Sequence, residues 1–141
     1  MASNGVELRF FTREVTQAIG EAALGKMHTA VNEIRNTTLE TLSGTRTGRT
    51  YRVPGTGRTY TASAPGEPPA QATGRLRQSI ATEVTREGGD IIGRVGTDQS
   101  YGKMLEFGTH GGKIKPRPWL HLSFSKTVPK VREILGSRWL P

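Results

Sequence analysis

The sequence predicts one α+β domain: a small antiparallel sheet packed by a long N-terminal helix and a C-terminal helix, with an extended β-hairpin arm and a Pro-rich loop. A chain of 141 residues favours a single domain. Apolar residues recur at spacings of three and four over 12–42, as on one face of a long helix. Alternating segments at 80–85 and 91–95 flank a Gly-Gly turn and predict a β-hairpin. A second helical pattern begins at Trp119.

The N-terminal third predicts a strand followed by the long helix. Val6, Leu8 and Phe10 alternate with polar residues, which favours a short strand. Gly20 and Gly25 weaken the helix by about 1 kcal/mol each relative to alanine. The residues expected on its apolar stripe are Val15, Ile19, Ala22, Ala23, Met27, Ala30, Val31 and Ile34.

A repeated pentapeptide predicts the hairpin arm. Thr-Gly-Arg-Thr-Tyr occurs at 47–51 and again at 56–60, and Val53-Pro54-Gly55-Thr56 suits a type II turn. The simplest register sets Tyr51 opposite Arg58 and Arg49 opposite Tyr60, so that two Arg–Tyr pairs share one face. Because two-residue hairpins prefer primed turns, a slipped register stays open.

The Pro-rich segment over 63–76 has little capacity for regular structure. Pro65, Pro68 and Pro69 lack backbone donors and push the preceding residues towards extended geometry. A small domain seldom carries so long an extended loop without a use. The segment is expected to reach away from its own core to a neighbouring subunit, and the hairpin and loop at about 45–72 are expected to project from the domain.

The C-terminal half predicts a short helix and a long one. Asp98 is expected to cap a helix containing Tyr101, Met104 and Leu105, which Gly108 ends in the left-handed conformation. Pro116 and Pro118 precede the last helix, which Pro129 is expected to interrupt or kink.

Composition argues against several classes of protein. The chain has no cysteine, no apolar run of the roughly 20 residues that span a bilayer, and no signal-peptide pattern at its start. The expectation is a soluble protein made in a cytoplasm, without disulfides. His28, His110 and His121 lie far apart, and no nucleophile, phosphate-binding loop or carboxylate pair is apparent. The sequence therefore predicts no enzyme activity, no metal site and no cofactor.

Charge is unevenly distributed. The formal net charge is +8, and between Leu42 and Leu76 several arginines are opposed only by Glu67. Such a distribution favours polyanion contact, or contact with acidic protein surfaces. Protein contact is the favoured reading, DNA proximity the second, and a solvated hairpin whose arginines discourage edge pairing the third. The arginines are Arg46, Arg49, Arg52, Arg58 and Arg75.

Three ordered blocks resemble a known family. The Pro-rich block comprises Ala-Ser-Ala-Pro-Gly-Glu-Pro-Pro-Ala at 62–70, Thr-Gly-Arg-Leu at 73–76 and Ser-Ile at 79–80. The second block is Val-Gly-Thr at 95–97, Tyr101 and Leu-Glu-Phe-Gly-Thr at 105–109, and the third is Pro-Arg-Pro-Trp-Leu at 116–120. Together they resemble the tail-completion, or neck, proteins of long-tailed bacteriophages, which are sometimes grouped with minor tail protein Z.

The resemblance implies a structural virion protein with an α+β fold, not an enzyme. Such a protein forms a homo-oligomeric ring, six-fold being favoured, at the head–tail junction around the DNA channel. Its neighbours would be head-completion, tail-terminator or tail-tube proteins, with assembly in the bacterial host cytoplasm and no membrane contact. The Arg–Tyr repeat, Trp119 and Pro129 depart from the family pattern.

Two sets of residues follow as candidates. Glu106 and Arg117 are expected to pair within or between subunits, and Trp119 to fill the core or a subunit seam. Candidate subunit or partner contacts are Arg49, Tyr51, Arg52, Arg58, Tyr60, Pro65, Glu67, Pro68, Pro69, Glu106, Arg117 and Trp119. Candidate DNA-channel contacts are Arg46, Arg49, Arg52 and Arg58.

Overall fold

A computed structural model describes residues 4–11, 17–71 and 74–137, and it has the predicted α+β architecture. A three-stranded antiparallel sheet is packed by a long N-terminal helix and a C-terminal helix, and a separate two-stranded hairpin follows the first helix. The elements are β1 Asn4–Phe11, α1 Gln17–Thr41, β2 Thr50–Arg52, β3 Thr59–Thr61, α2 Arg75–Gln78, β4 Ala81–Glu87, β5 Asp90–Thr97, α3 Tyr101–Phe107 and α4 Leu120–Gly136.

The sheet has the order β1-β5-β4, with β5 in the centre. The predicted Gly-Gly hairpin joins β4 to β5, and Gly88 takes a φ of 62° that favours glycine. Ile91 and Val95 of β5 are buried in the core, and between them Gly93 lies directly under α1. The absent side chain at Gly93 lets α1 approach the sheet closely.

Helix α1 contributes five residues of the predicted stripe to the core. Its 25 residues make it about 37 Å long at 1.5 Å per residue. The helix continues through Gly20 and Gly25, while the predicted start at 12–16 lies outside the described residues. The stripe residues buried in the core are Ala23, Met27, Ala30, Val31 and Ile34, and Thr38 and Leu42 extend it.

Helix α4 runs through Pro129 without a break, so the predicted interruption does not occur. A proline at this position leaves the carbonyl of Ser125 without its helical donor. Both residues are exposed, so water can satisfy that carbonyl. At the far end of α4, the ammonium of Lys26 on α1 donates to the carbonyl of Ile134 at 3.1 Å. A cation at this end also complements the helix dipole.

The register predicted for the hairpin arm, 47–62, is wrong. Tyr51 lies opposite Tyr60 and Arg52 opposite Thr59, two residues away from the simplest pairing. The predicted type II turn does form, with Gly55 at a φ of 73° and Thr56 N donating to Val53 O at 3.2 Å. Because that turn does not match the twist of a two-residue hairpin, the loop takes in two further residues and closes with Val53 N donating to Arg58 O. The predicted Arg–Tyr pairs are therefore replaced by a Tyr–Tyr pair.

The cap predicted for α3 is also wrong. Ser100, not Asp98, precedes the helix, and Thr97 Oγ1 accepts the Gln99 N–H at 3.0 Å. Gly108 ends α3 with a φ of 75°, as a glycine should, but its ψ of −179° is extended and not left-handed helical. A side chain there would meet Ile114 O at 2.8 Å, so the position has room only for glycine.

Substituting Gly93 tests the close packing of α1 on β5. In Gly93→Ala the new Cβ would meet Val31 Cγ1 at 2.5 Å and Met27 Sδ at 2.7 Å. We expect the free energy of unfolding to fall by about 1–3 kcal/mol in urea titrations. The matched control is Gly25→Ala on the exposed side of α1, where nothing lies within 4 Å. That variant should gain up to about 1 kcal/mol. A neutral Gly93→Ala would contradict the packing.

Candidate functional site

The three sequence blocks meet around Trp119, forming what we call the three-block junction. Trp119 is 1% exposed, and its indole Nε1 donates to Gly102 O at 3.0 Å on α3. Arg117 N donates to Leu105 O at 2.6 Å, which ties the third block to the second. Trp119 was expected to fill either the core or a subunit seam. In the structure its side chain lies in the core of its own chain and exposes almost no surface to a neighbour.

Glu106 binds the start of α4 rather than Arg117. Its Oε2 accepts the backbone N–H groups of Trp119 at 2.8 Å and Leu120 at 2.9 Å, and its Oε1 accepts that of His121 at 2.9 Å. These donors have no partner within the helix, and a carboxylate there complements the helix dipole. The pairing of Glu106 with Arg117 expected within one subunit is therefore absent.

The Pro-rich block lies on the body of its own chain, contrary to the expectation that it reaches away from it. The guanidinium of Arg117 donates to the carbonyl and the hydroxyl of Ser63, which is buried. Gly66 N donates to Pro116 O at 3.2 Å, and the hydroxyls of Ser79 and Thr97 are 2.5 Å apart. The carbonyl of Ser63 and the N–H of Gly66, which belong to no strand, are thus hydrogen-bonded within the chain.

Arg46 holds the root of the hairpin arm against the Pro-rich segment. Its guanidinium donates to Pro68 O at 2.6 Å, Thr41 O at 2.7 Å and Pro69 O at 3.1 Å. Burial lowers the pKa of Arg46, and the charge of Glu67 opposes that shift. Its donors face main-chain carbonyls, so its expected role as a DNA-channel contact does not fit this structure.

Glu67 completes the attachment from the other side. The segment makes a second Pro-Gly type II turn, with Gly66 at a φ of 87° and Glu67 N donating to Ala64 O at 3.0 Å. The Glu67 carboxylate accepts bonds from Thr47 Oγ1 at 2.5 Å, Ala64 N at 2.8 Å and Thr47 N at 3.1 Å. These hydrogen bonds, led by that of the Thr47 hydroxyl, lower the pKa of Glu67.

Beyond this root, the hairpin arm presents cations and an aromatic pair. Arg49, Arg52 and Arg58 are exposed, and within the described residues their side chains form no hydrogen bond or ion pair. Tyr51 is 46% exposed and lies against Tyr60, with ring centroids 5.9 Å apart and planes inclined by 32°. Strands β2 and β3 pack chiefly against each other.

The structure thus divides the predicted site residues into two groups. Bonded or enclosed within the chain are Arg46, Glu67, Pro69, Glu106, Arg117 and Trp119. Available at the surface are Arg49, Tyr51, Arg52, Arg58 and Pro65, with Tyr60 and Pro68 partly exposed.

Sequence reasoning missed Ser63, Thr47 and Gly102, the partners of the first group. Each acts through a backbone group or a short side chain, and no periodic pattern marks such a role.

An apolar groove of about 580 Å³ opens beside the junction, between β1, α3 and the start of α4. Phe107 on its rim is 72% exposed. His121 also lines it, but its backbone and not its ring is the group bonded to Glu106. In the described part of the chain, no three His, Asp or Glu residues are placed to hold a metal ion.

Comparisons of the chain with protein-family models, with curated proteins and with solved structures found no match. Among the described helices, none is long and apolar enough to cross a membrane.

The Glu67 carboxylate predicts a pH-dependent stability. Its folded pKa is below the ordinary 4.5, so its contribution is present above about that pH and is lost as pH falls through the folded pKa. We expect Glu67→Gln to be less stable than the parent in urea titrations at pH 7, and the difference to shrink as the solution is acidified to pH ~3.

The matched control for Glu67→Gln is Glu133→Gln, since the Glu133 carboxylate is 71% exposed and, among the described residues, pairs only with Lys130 at 3.5 Å. This variant should follow the parent at every pH. A Glu67→Gln deficit that stays constant from neutral to acidic pH would show that the charge of Glu67 does not matter.

Proposed function

We propose that this chain is a structural virion protein of a long-tailed bacteriophage, forming a ring at the head–tail junction that completes the tail and joins it to the head. The observation that carries the proposal is the three-block junction. Three blocks that resemble the tail-completion family in sequence order are in direct contact around Trp119. Residues separated by up to 54 positions, Ser63 and Arg117, are bonded there. The three blocks that carry the resemblance therefore belong to one structural unit of this chain.

The hairpin arm supports an assembly role. It is held at its root by Arg46 and Glu67, and its three exposed arginines have no partner in the described chain. A small domain gains nothing from such a hairpin in isolation, because two strands alone are marginally stable in water. We assign Arg49, Tyr51, Arg52 and Arg58 to contacts outside the protomer.

The proposal includes the surroundings of the ring. Six-fold symmetry is the favoured arrangement, the neighbours are head-completion, tail-terminator or tail-tube proteins, and DNA passes through the channel. Assembly takes place in the host cytoplasm, and no catalytic or cofactor role is assigned.

A nucleic-acid-binding module is the second candidate function. It is favoured by one observation: Tyr51, an exposed aromatic that can stack on bases, lies on the same short hairpin as three unpaired arginines.

Replacing the hairpin tip tests the assembly role. Thr50 and Thr61 lie opposite each other with their hydroxyls 3.2 Å apart, so two glycines can replace residues 51–60. We expect a folded protomer that fails to enter particles, measured as loss of tailed, infectious virions. The control is Glu133→Gln on the exposed side of α4, which should assemble normally. Fully tailed and infectious particles with the shortened hairpin would exclude the assembly role of the arm.

DNA binding by the isolated protein tests the second candidate. If it holds, Arg49, Arg52 and Arg58 changed together to Gln should weaken binding at low salt. The slope of log affinity against log salt concentration should also become shallower, by about one for each phosphate that the variant no longer neutralises. The control removes the same number of charges on α4, at Lys126, Lys130 and Arg132, and should bind like the parent. Equal weakening in both variants would indicate nonspecific attraction to net charge.

A further inference from the structure

The outer face of the three-stranded sheet is acidic, although the whole chain carries a formal charge of +8. Helices α1 and α4 pack on the other face, where a Cβ at Gly93 would meet Met27 and Val31. Because side chains alternate along a strand, Asp90 and Arg94 of β5 point away from that core. The register sets Glu7 of β1 and Glu83 of β4 on either side of Arg94, and Glu87 opposite Asp90.

Arg94 lies at the centre of this acidic sheet face and holds it together. Its guanidinium donates to Glu7 at 3.0 Å and to Glu83 and Glu87 at 3.3 Å each. Hydrogen bonding to Glu87, then to Glu7, raises the pKa of Arg94 above its ordinary value. One cation cannot neutralise all of these carboxylates. The register places four carboxylates, those of Glu7, Glu83, Glu87 and Asp90, around the single positive charge of Arg94.

Glu83 and Glu87 keep acceptor capacity for a further partner. Their side chains are 32% and 50% exposed, so part of each faces solvent. Asp90 Oδ1 is enclosed, and no donor of the described residues bonds to it. Asp90 therefore contributes its charge to the face, while this enclosed oxygen offers no surface to a partner.

The hairpin arm of the same chain carries the complementary charge and lacks a partner. Arg49, Arg52 and Arg58 are exposed, with no ion pair to the described residues. Between Leu42 and Leu76 the only carboxylate is that of Glu67, which is occupied by Thr47 and Ala64.

Within one protomer the hairpin arm and the Glu87–Asp90 pair of the acidic face lie towards opposite ends of β4. The hairpin arm leaves from the end of α1, which lies beside the start of β4: Arg77 donates to Ser43 Oγ at 2.7 Å, and Arg35 to Ile80 O at 3.3 Å. Glu87 and Asp90 form the other end of β4 and β5, about 20 Å away at 3.3 Å per residue. The chain that follows β3 leads to the three-block junction, where Ser63 is hydrogen-bonded to Arg117. Within the described residues of one protomer, no ion pair joins the three arginines to Glu83, Glu87 or Asp90, so we assign that contact to two copies of the chain.

We propose that Arg49, Arg52 and Arg58 of one copy dock on the acidic sheet face of a second copy, around Glu83, Glu87 and Asp90. The proposal rests on the ring-forming function proposed above and names the two surfaces that meet in the ring. Since the two surfaces differ, the contact is head-to-tail, and each copy of a docked pair keeps its other surface for the next neighbour. Such a contact closes into a ring when the rotation between copies allows it.

Cysteine crosslinking tests the contact directly, because the chain has no cysteine of its own. The test variant is Arg58→Cys with Glu87→Cys in the full chain, oxidised or treated with a short bifunctional crosslinker at high protein concentration and in assembled particles. We expect a ladder of dimers, trimers and larger species, since every copy can link to two neighbours. The control is Arg58→Cys with Glu133→Cys, where the second cysteine lies on α4 and should give no ladder.

Charge reversal provides a second test that does not need crosslinking. Arg52→Glu with Arg58→Glu should abolish self-association of the purified chain, measured by sedimentation. Glu83→Arg with Glu87→Arg should do the same, and mixing the two variants should restore association. The control reversals, Lys126→Glu with Arg132→Glu, lie on α4 and should leave association unchanged.

The outcomes separate this inference from the proposed function. Crosslinks that stop at dimers would overturn the head-to-tail arrangement. A folded double-cysteine variant with no crosslink above the control, in particles that contain it, would overturn the docking surface while leaving the virion role intact. A ladder in purified protein that never enters particles would support the contact and contradict the virion role. Suppression of the ladder by added DNA would identify DNA as the occupant of the arginines and overturn the proposal.

Discussion

The carboxylate of Glu106 at the start of α4 is the interaction on which the rest of this structure depends. Three consecutive backbone N–H groups point to one side chain on α3, which fixes where α4 begins. A buried N–H group left without an acceptor would cost about 1–3 kcal/mol, whereas the exposed N–H of His121 could bond to water instead. Once that start is fixed, Trp119 lies against Gly102 and Arg117 donates to Ser63. The bonds of Arg117 to Ser63 then hold the Pro-rich segment at this junction, and those of Arg46 and Glu67 hold the root of the hairpin arm.

The arginines of this basic chain differ in function because they differ in what surrounds them. Arg46 is bonded to main-chain carbonyls, Arg117 to a buried serine, and Arg94 to three carboxylates on a sheet. Each stabilises the protomer. Arg49, Arg52 and Arg58 on the hairpin arm face solvent and remain available for a partner. Net charge alone predicts attraction to polyanions, but only the local surroundings show which cations can take part in it.

Much of the scaffold was predictable from local patterns, and most of the site was not. The stripe on α1 and the β4–β5 hairpin follow from spacings of three, four and two, which the sequence displays directly. Counting back from the Gly-Gly turn also sets Glu83 opposite Arg94, so that pair was within reach. Glu7 was not, since nothing local tells β1 which strand to join. The bonds of Arg46 and Glu67 to residues about 20 positions away depend on how two turns fold together. The prediction of the hairpin register was wrong for a local reason. The turn type was predicted correctly, but the twist of that turn required a loop two residues longer.

The attachment of the hairpin root affects how tightly, and at what angle, a partner is bound. A segment that orders only on docking loses conformational entropy at that step, which weakens the complex. Here the bonds of Arg46 and Glu67 restrict the root in the free protomer, so that loss is incurred during folding. Association then starts from a preorganised surface. Because little entropy is lost in ordering the root, the free energy of association reflects mainly the contacts that are made. A rigid root also transmits orientation: small changes in the two Pro-Gly turns would redirect the whole tip and alter the angle at which successive molecules meet.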